Sequence, residues 1–600
     1  MPLCPELTMS VPQAFDIIIN NGLFFDGRGS DPLPRSLGIR DGLVAEISET
    51  PLPEAGAGRV IDATDRWITP GFVDLHTHYD AELEVAPSLS ESVRHGVTTI
   101  FMGSCSLGAC LGRPEDIADI FCRVEGVPRE IMLPVLEERK DWDTLGEYFE
   151  HLDNLPLGPN VASFVGHSNL RMHVMGFDRS VQPKVRPSKA ELKRMETLLE
   201  EGLDLGYLGM SIQTLPWDKL DGDRWPARPL PSYFAPWSEY RRFTRILRRR
   251  NRVFQGVPNV TTKVNVLLFL AESAGLFRKP LRTTIISLMD IIADRKVVWL
   301  VPLLTRLFNR FLRADFRLQA LPNLFDVWSD GMQLVIFEEF GAGTEAINHV
   351  DLEARAQLLQ DPDYRKRFRR QWTNFLLPKV YHRDFQYSEV LACPDASVVG
   401  RSFADISQEQ GRHVVDVFLD LAAEHGEQLR WYSVMANDRT PQLEFIAGHP
   451  DVLIGFSDAG AHLRNMAHYN FPLRMLKLAR DAELRGEPFI SLGQAVHRVT
   501  GEIAQWFDID AGILDQGRRA DLVVINPERL DESLDEAHEA PMERFGNLSR
   551  LVRRNDATVD AVLINGKLAV EGGQPTPMLG EEQGFGRVLR AGESISGGGT

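Results

Sequence analysis

Short apolar runs broken by turn residues occupy both ends of the chain, and longer alternations of strand-like and helix-like segments occupy its middle. Residues 15–19 read Phe-Asp-Ile-Ile-Ile, an apolar run closed by Asn20-Asn21-Gly22. Residues 37–47 hold two alternating runs around Asp41-Gly42, a hairpin signal because both positions of such a two-residue turn need positive φ. Residues 60–63 supply a fourth strand, and the same style returns at 520–525, 559–563 and, past Asn565-Gly566, 568–570. Between about 70 and 500, runs such as 98–102, 161–165 and 452–456 alternate with segments of helical period such as 192–203 and 414–423. This alternation predicts an α/β fold, either a (β/α) barrel or a doubly wound sheet. Strands at both ends predict one small β unit assembled from both termini. Beyond Met578 the chain turns rich in Gly and Glu, and a frayed tail is expected.

Two stretches, 264–277 and 297–312, are the most apolar. Glu272 interrupts the first, and Pro302, Arg306, Asn309 and Arg310 cut the second. Neither reaches the roughly 18 unbroken apolar residues of a membrane span. Buried helix is the expectation for both, with the lining of an apolar substrate channel as the alternative.

Composition narrows the function classes. At 43% hydrophobic and 25% charged residues the chain has ordinary globular make-up. A net charge of −18 gives no general attraction to nucleic acid or anionic lipid, although local basic patches are compatible with it. The five cysteines (Cys4, Cys105, Cys110, Cys122 and Cys393) are scattered and odd in number, which implies no disulfide framework. No basic segment followed by an apolar run opens the chain, so a cytoplasmic location is expected.

The candidate chemistry lies at predicted strand ends. Phe72-Val73-Asp74-Leu75 is followed by His76 and His78. Residues i and i+2 of an extended chain point the same way, so both imidazoles face one point, as a metal requires. A chance His-x-His is expected roughly 0.4 times in such a chain; the setting, a strand end behind Pro70-Gly71, carries the reading. Gly103-Ser104-Cys105 follows the next strand, and its thiolate suits a borderline metal. Gly455-Phe456-Ser457-Asp458 ends another strand in a carboxylate, able to bind metal or to take a proton from water. His167, after a strand, and His462 and Arg464, beyond Asp458, are candidate substrate-binding groups.

These motifs, in this order, resemble the amidohydrolase superfamily and, within it, the N-acyl-D-amino-acid deacylase (D-aminoacylase) branch. The resemblance rests on Pro-Gly-Phe-Val-Asp-x-His-x-His at 70–78, Gly96-Val97-Thr98-Thr99 leading to Cys105, and Val165-Gly166-His167 with Leu170-Arg171. It continues through Met175-Gly176, Phe456-Ser457-Asp458-Ala459-Gly460-Ala461-His462 and Gly517-x-x-Ala520-Asp521-Leu522-Val523-Val524. The resemblance implies a (β/α)8 TIM-type barrel at 69–500 and a β-sandwich from residues 1–68 and 501–600. It implies metal-dependent hydrolysis of an amide C–N bond, with Asp458 as acid and base. It also implies metal ligation by His76, His78 and Asp458, with Cys105 at the position of the cysteine that helps to hold a second ion. Two further metal histidines of the branch have no counterpart here, because residues 251–257 and 284–289 contain no histidine. One divalent ion, zinc by expectation, is therefore anticipated rather than two. The substrate expected is a small molecule, an N-acyl amino acid or related amide; a homo-oligomer stays open. The rival readings are cyclic amide or ester hydrolysis, decarboxylation, or a non-catalytic small-molecule-binding barrel.

Overall fold

The strands predicted at the two chain ends pair with one another. In the computed structural model, which describes residues 15–259, 263–349, 351–374 and 379–593, they form one nine-stranded sheet. Its seam joins Leu522–Ile525 antiparallel to Trp67–Pro70. The reason is apolar: Ile19, Leu37, Ile39 and Ile68 share one buried cluster with Leu522, Val524 and Leu563, so neither terminal segment can bury its inner face alone. The two hairpin turns read from the sequence are present, with Asp41 at φ 52° and Asn565 at φ 52°, each followed by a left-handed glycine. Asn20-Asn21-Gly22, however, does not end the first strand. Ile17–Phe24 runs through it with a register shift, Asn21 taking φ 67°, because asparagine tolerates the left-handed conformation of a bulge.

The middle of the chain is mixed α/β. Phe72–Asp74, Val97–Met102 and Asn160–Ser163 form one parallel sheet. Val165–Gly166, Gly209–Gln213, Val253–Val257, Arg282–Ile285, Asp315–Ala320 and Val452–Ile454 form a second, also parallel. Only Phe164 separates the edge strands of the two sheets. At their outer edges Thr77 bridges Ala459 in parallel. There Asp458 N donates to His76 O at 3.2 Å and His78 N to Ala459 O at 2.7 Å. The loops that follow the first and the last of these strands are thus tied together where the candidate ligands sit.

Between Asp315–Ala320 and Val452–Ile454 lies a unit that the sequence periods did not separate from the parallel strands around it. Phe325–Asp330, Arg430–Ala436 and Ser388–Ala392 pair antiparallel. Helices including Pro362–Thr373 and Val414–His425 cover them around Phe337, Trp372, Phe418 and Trp431. The tail also differs from expectation. Through residue 593 it is ordered against the middle of the chain: Val161 N donates to Arg587 O, Leu589 N to Val161 O, and Phe585, Val588 and Leu589 are buried. Apolar residues spaced among the glycines anchor it. Residues 1–14, with Cys4, and 594–600 lie outside the described residues.

Candidate metal centre

His76 and His78 are 0% and 2% exposed. Together with Cys105 they place three potential ligand atoms within 4.8 Å of one another. The turn that delivers Cys105 is unusual in its backbone. Gly103, Cys105 and Ser106 all have positive φ, at 70°, 53° and 69°, and a Cβ at position 103 would lie 2.4 Å from Phe164 O. A glycine there lets the chain reverse tightly enough to bring the thiol back over the strand end. Asp458 is likewise left-handed, at φ 58°.

The ring nitrogens have separate partners. His76 Nδ1 donates to Gln319 Oε1 at 2.8 Å, which leaves Nε2 as the lone-pair nitrogen. That Nε2 lies 3.2 Å from Cys105 Sγ and 3.8 Å from Asp458 Oδ1. His78 Nε2 lies 3.3 Å from the same Asp458 oxygen, and His78 Nδ1 lies 3.3 Å from Glu125 Oε1. His462 Nε2 is 3.8 Å from the other oxygen, Asp458 Oδ2. Beneath them Asp74 accepts from His76 N and from Ser457 N and Oγ, which fixes the two ligand-bearing loops to each other.

Burial and charge act against each other here. Burial would lower His78, yet the Glu125 carboxylate and then Asp458 hold it well above its ordinary value. Burial pushes His76 down to about 4 and Cys105 up to about 12. Burial also works to raise Asp458, but the bond from His78 and the charges of His78 and His76 leave it well below the usual carboxylate range. Glu125 is pushed up to about 8, by burial first. A donor set of two imidazoles, a thiol and an ionised carboxylate, held in a buried cluster, fits a divalent transition ion. A cation there supplies the stabilisation that a buried thiolate otherwise lacks.

The sequence-derived candidates thus divide. His76, His78, Cys105 and Asp458 converge, with His462 beside them. His167 is fully buried, with Nδ1 at 3.0 Å from Ser232 Oγ and Nε2 at 3.2 Å from Glu239 Oε1, an acid it shares with Arg171. Arg464 donates to Asp330 at 2.6 Å and to Glu539 at 2.9 Å. Three contributors escaped the sequence reading. Glu125 closes the helix Pro114–Glu125, and no motif marks it. Gln255 lies at the centre of Val253–Val257 and Gln319 next to the end of Asp315–Ala320, both parallel strands; Gln255 Oε1 accepts from Cys105 N at 3.2 Å. No sequence signal singles either glutamine out. Asp218, half-buried, adds a further acid, pushed up to about 7 by desolvation and by Asp458. Its neighbour Lys219 and Glu338 line a cavity of about 380 Å³.

No family model matches the chain. Uncharacterized protein Rv2913c of Mycobacterium tuberculosis is 49% identical over 587 residues, 96% of each chain. N-acyl-D-glutamate deacylase of Alcaligenes xylosoxydans xylosoxydans is 30% identical over 200 residues, 33% of this chain and 37% of that one. Among solved structures, N-acyl-D-glutamate deacylase from Bordetella bronchiseptica, complexed with zinc and a phosphonate inhibitor, superposes with a TM-score of 0.61. It is 21% identical and covers 96% of this chain and 100% of its own. The chain therefore belongs to one family with Rv2913c, and it resembles N-acyl-D-amino-acid deacylases over a third of its sequence and in its fold.

Proposed function

We propose that the protein is a cytoplasmic metal-dependent hydrolase of an amide C–N bond in a small molecule, an N-acyl amino acid or a related amide. The observation that carries this reading is the convergence of His76, His78 and Cys105 with Asp458 Oδ1 3.3 Å from His78 Nε2. In this reading the parallel strands close into a (β/α)8 barrel spanning 69–500, and 1–68 and 501–600 make the β-sandwich. Its relatives N-acyl-D-glutamate deacylase and N-acyl-D-aspartate deacylase support the substrate class.

His76, His78, Asp458 and Cys105 would hold one zinc ion. Gln255 and Gln319, neutral amides and poor metal ligands, stand on the His76 side of the cluster, which supports one ion over two. A divalent ion at this place supplies Lewis acidity and a more acidic water. The chain's own groups do the rest. Asp458, ionised, takes a proton from the attacking water on Oδ2 and returns it to the departing nitrogen, which leaves poorly unless protonated. His462, 3.8 Å from Oδ2, faces the same space and hydrogen-bonds the substrate. His167 and Arg464, the other proposed substrate-binding groups, act through the networks they anchor, with Glu239 and Arg171 and with Asp330.

The test compares Asp458→Asn with the parent on an amide and on an activated ester, at measured metal content. The amide rate should fall by roughly 10²-fold or more, and the ester rate by less, because its leaving group needs no proton. Equal losses at equal metal occupancy reduce Asp458 to a positioning residue. Purified protein with no stoichiometric metal, and no activity on adding zinc, manganese or iron, favours the non-catalytic barrel.

A further inference from the structure

The helix Val297–Phe311 turns Val298, Pro302 and Thr305 inward and leaves Trp299, Leu300, Leu303, Leu307 and Phe311 exposed. Those positions recur at steps of three and four, so they form one stripe along the helix. Leu303 is 55% and Phe311 63% exposed, where buried helix was expected. Gly275 N donates to Leu312 O at 2.9 Å. This sets the loop that follows the helix Lys263–Ser273 beside the end of the stripe, and that loop carries Phe277, 95% exposed. A contiguous apolar face of this kind on a protein surface marks an interaction site.

The charge around the stripe identifies what fits it. From Arg295 to Arg313 the chain carries five cations and no acid, in a protein of net charge −18. Among the described residues Lys279, Lys296, Arg306, Arg310 and Arg313 form no ion pair. On the helix Trp237–Arg250, by contrast, Arg241, Arg249 and Arg250 pair with Glu272, Glu200 and Asp204. Unpaired cations beside exposed Trp, Leu and Phe on one amphipathic helix match the interface of an anionic bilayer, where the apolar stripe enters the acyl boundary and the cations meet lipid phosphates. A second copy of the chain fits less well. A two-fold contact sets the same surface against itself, which would bring Arg306, Arg310 and Arg313, none of them in an ion pair among the described residues, toward their own copies along a segment that carries no acid.

We propose that this face is a peripheral membrane-binding surface for anionic phospholipid. No described helix is long and apolar enough to cross a membrane, so the protein lies on the bilayer. The rest of the molecule is acidic and repelled, so binding depends on the patch and weakens with salt.

The experiment is vesicle flotation of the full chain with phosphatidylcholine vesicles, with and without about 30 mol% phosphatidylglycerol. Binding is expected only to the anionic vesicles and should fall when salt rises from about 0.1 M to about 0.5 M. Leu303→Glu with Leu307→Glu should abolish it, and Arg306→Ala or Arg310→Ala should each weaken it roughly fivefold. All four positions are exposed, and an unchanged unfolding temperature confirms that the variants fold. No binding to anionic vesicles overturns the proposal, as does binding that the substitutions leave intact. Dimerisation in solution that Leu303→Glu abolishes, with no vesicle binding, assigns the face to a second copy instead.

Discussion

Glu125 Oε1 lies 3.3 Å from His78 Nδ1, carried to the metal cluster by a helix end that shares no motif with the histidines. A carboxylate behind a ligand imidazole orients the ring and raises its basicity. The ring's other nitrogen, 3.3 Å from Asp458, then faces the cluster. Glu125→Gln keeps the size and removes the carboxyl group that faces His78 Nδ1. It should lower metal affinity by roughly 10- to 100-fold and leave the fold intact, read by chelator competition beside far-ultraviolet circular dichroism. Metal affinity equal to the parent's would show that Glu125 only fills space.

A second expectation concerns the number of ions. Gln255 Nε2 lies 3.4 Å from His76 Nδ1 and its Oε1 accepts from Cys105 N, so this side chain already reaches the cluster. Gln255→His should raise metal content from one ion per chain toward two when the protein is dialysed against zinc and then assayed by elemental analysis. A content that stays at one places the limit elsewhere in the cluster.

The sequence displayed those residues whose chemistry and strand position coincide. His76 and His78 are legible because alternate residues of a strand end face one way, and Asp458 and Cys105 because each follows an apolar run. Glutamine carries no such flag, since Gln255 and Gln319 look like ordinary strand polar residues until tertiary contact gives them partners. Glu125 is invisible for a related reason: its role comes from where a helix ends in space. The nine-stranded sheet was legible because both termini carry alternating runs. The unit between Asp315–Ala320 and Val452–Ile454 was not, because its strands and helices repeat the same two periods as the parallel α/β region around it.

Gly460 offers a backbone test of the link between the two ligand loops. It has φ +87°, and a Cβ there would lie 2.6 Å from His78 O. Gly460→Ala must therefore move the backbone that carries His78. A stability loss of about 1 to 3 kcal/mol is expected, with weaker metal retention, measured by thermal unfolding and metal titration. Unchanged metal retention would mean that the loops tolerate the shift.

The last expectation is a pH dependence set by a histidine outside the ligand set. His468 is buried, with Nδ1 accepting from Asn323 Nδ2 at 3.2 Å. Burial pushes it down to about 3; Arg553 and Arg474 oppose its charge, while Asp326 favours it. In the unfolded chain a histidine titrates near 6.5. Between these values the unfolded chain binds a proton that the folded protein refuses, so stability falls as pH falls through this window. The contribution is fully present above about pH 6.5, and its loss approaches about 4 to 5 kcal/mol near pH 3. His468→Gln keeps an acceptor for Asn323 and cannot take the proton. Its unfolding free energy should therefore decline less steeply than the parent's, by about 1.4 kcal/mol per pH unit between about pH 6 and pH 4. Urea midpoints of the two proteins across that range measure the difference directly. Carboxylates common to both chains cancel in the comparison, so parallel curves would mean that His468 takes up its proton in the folded state.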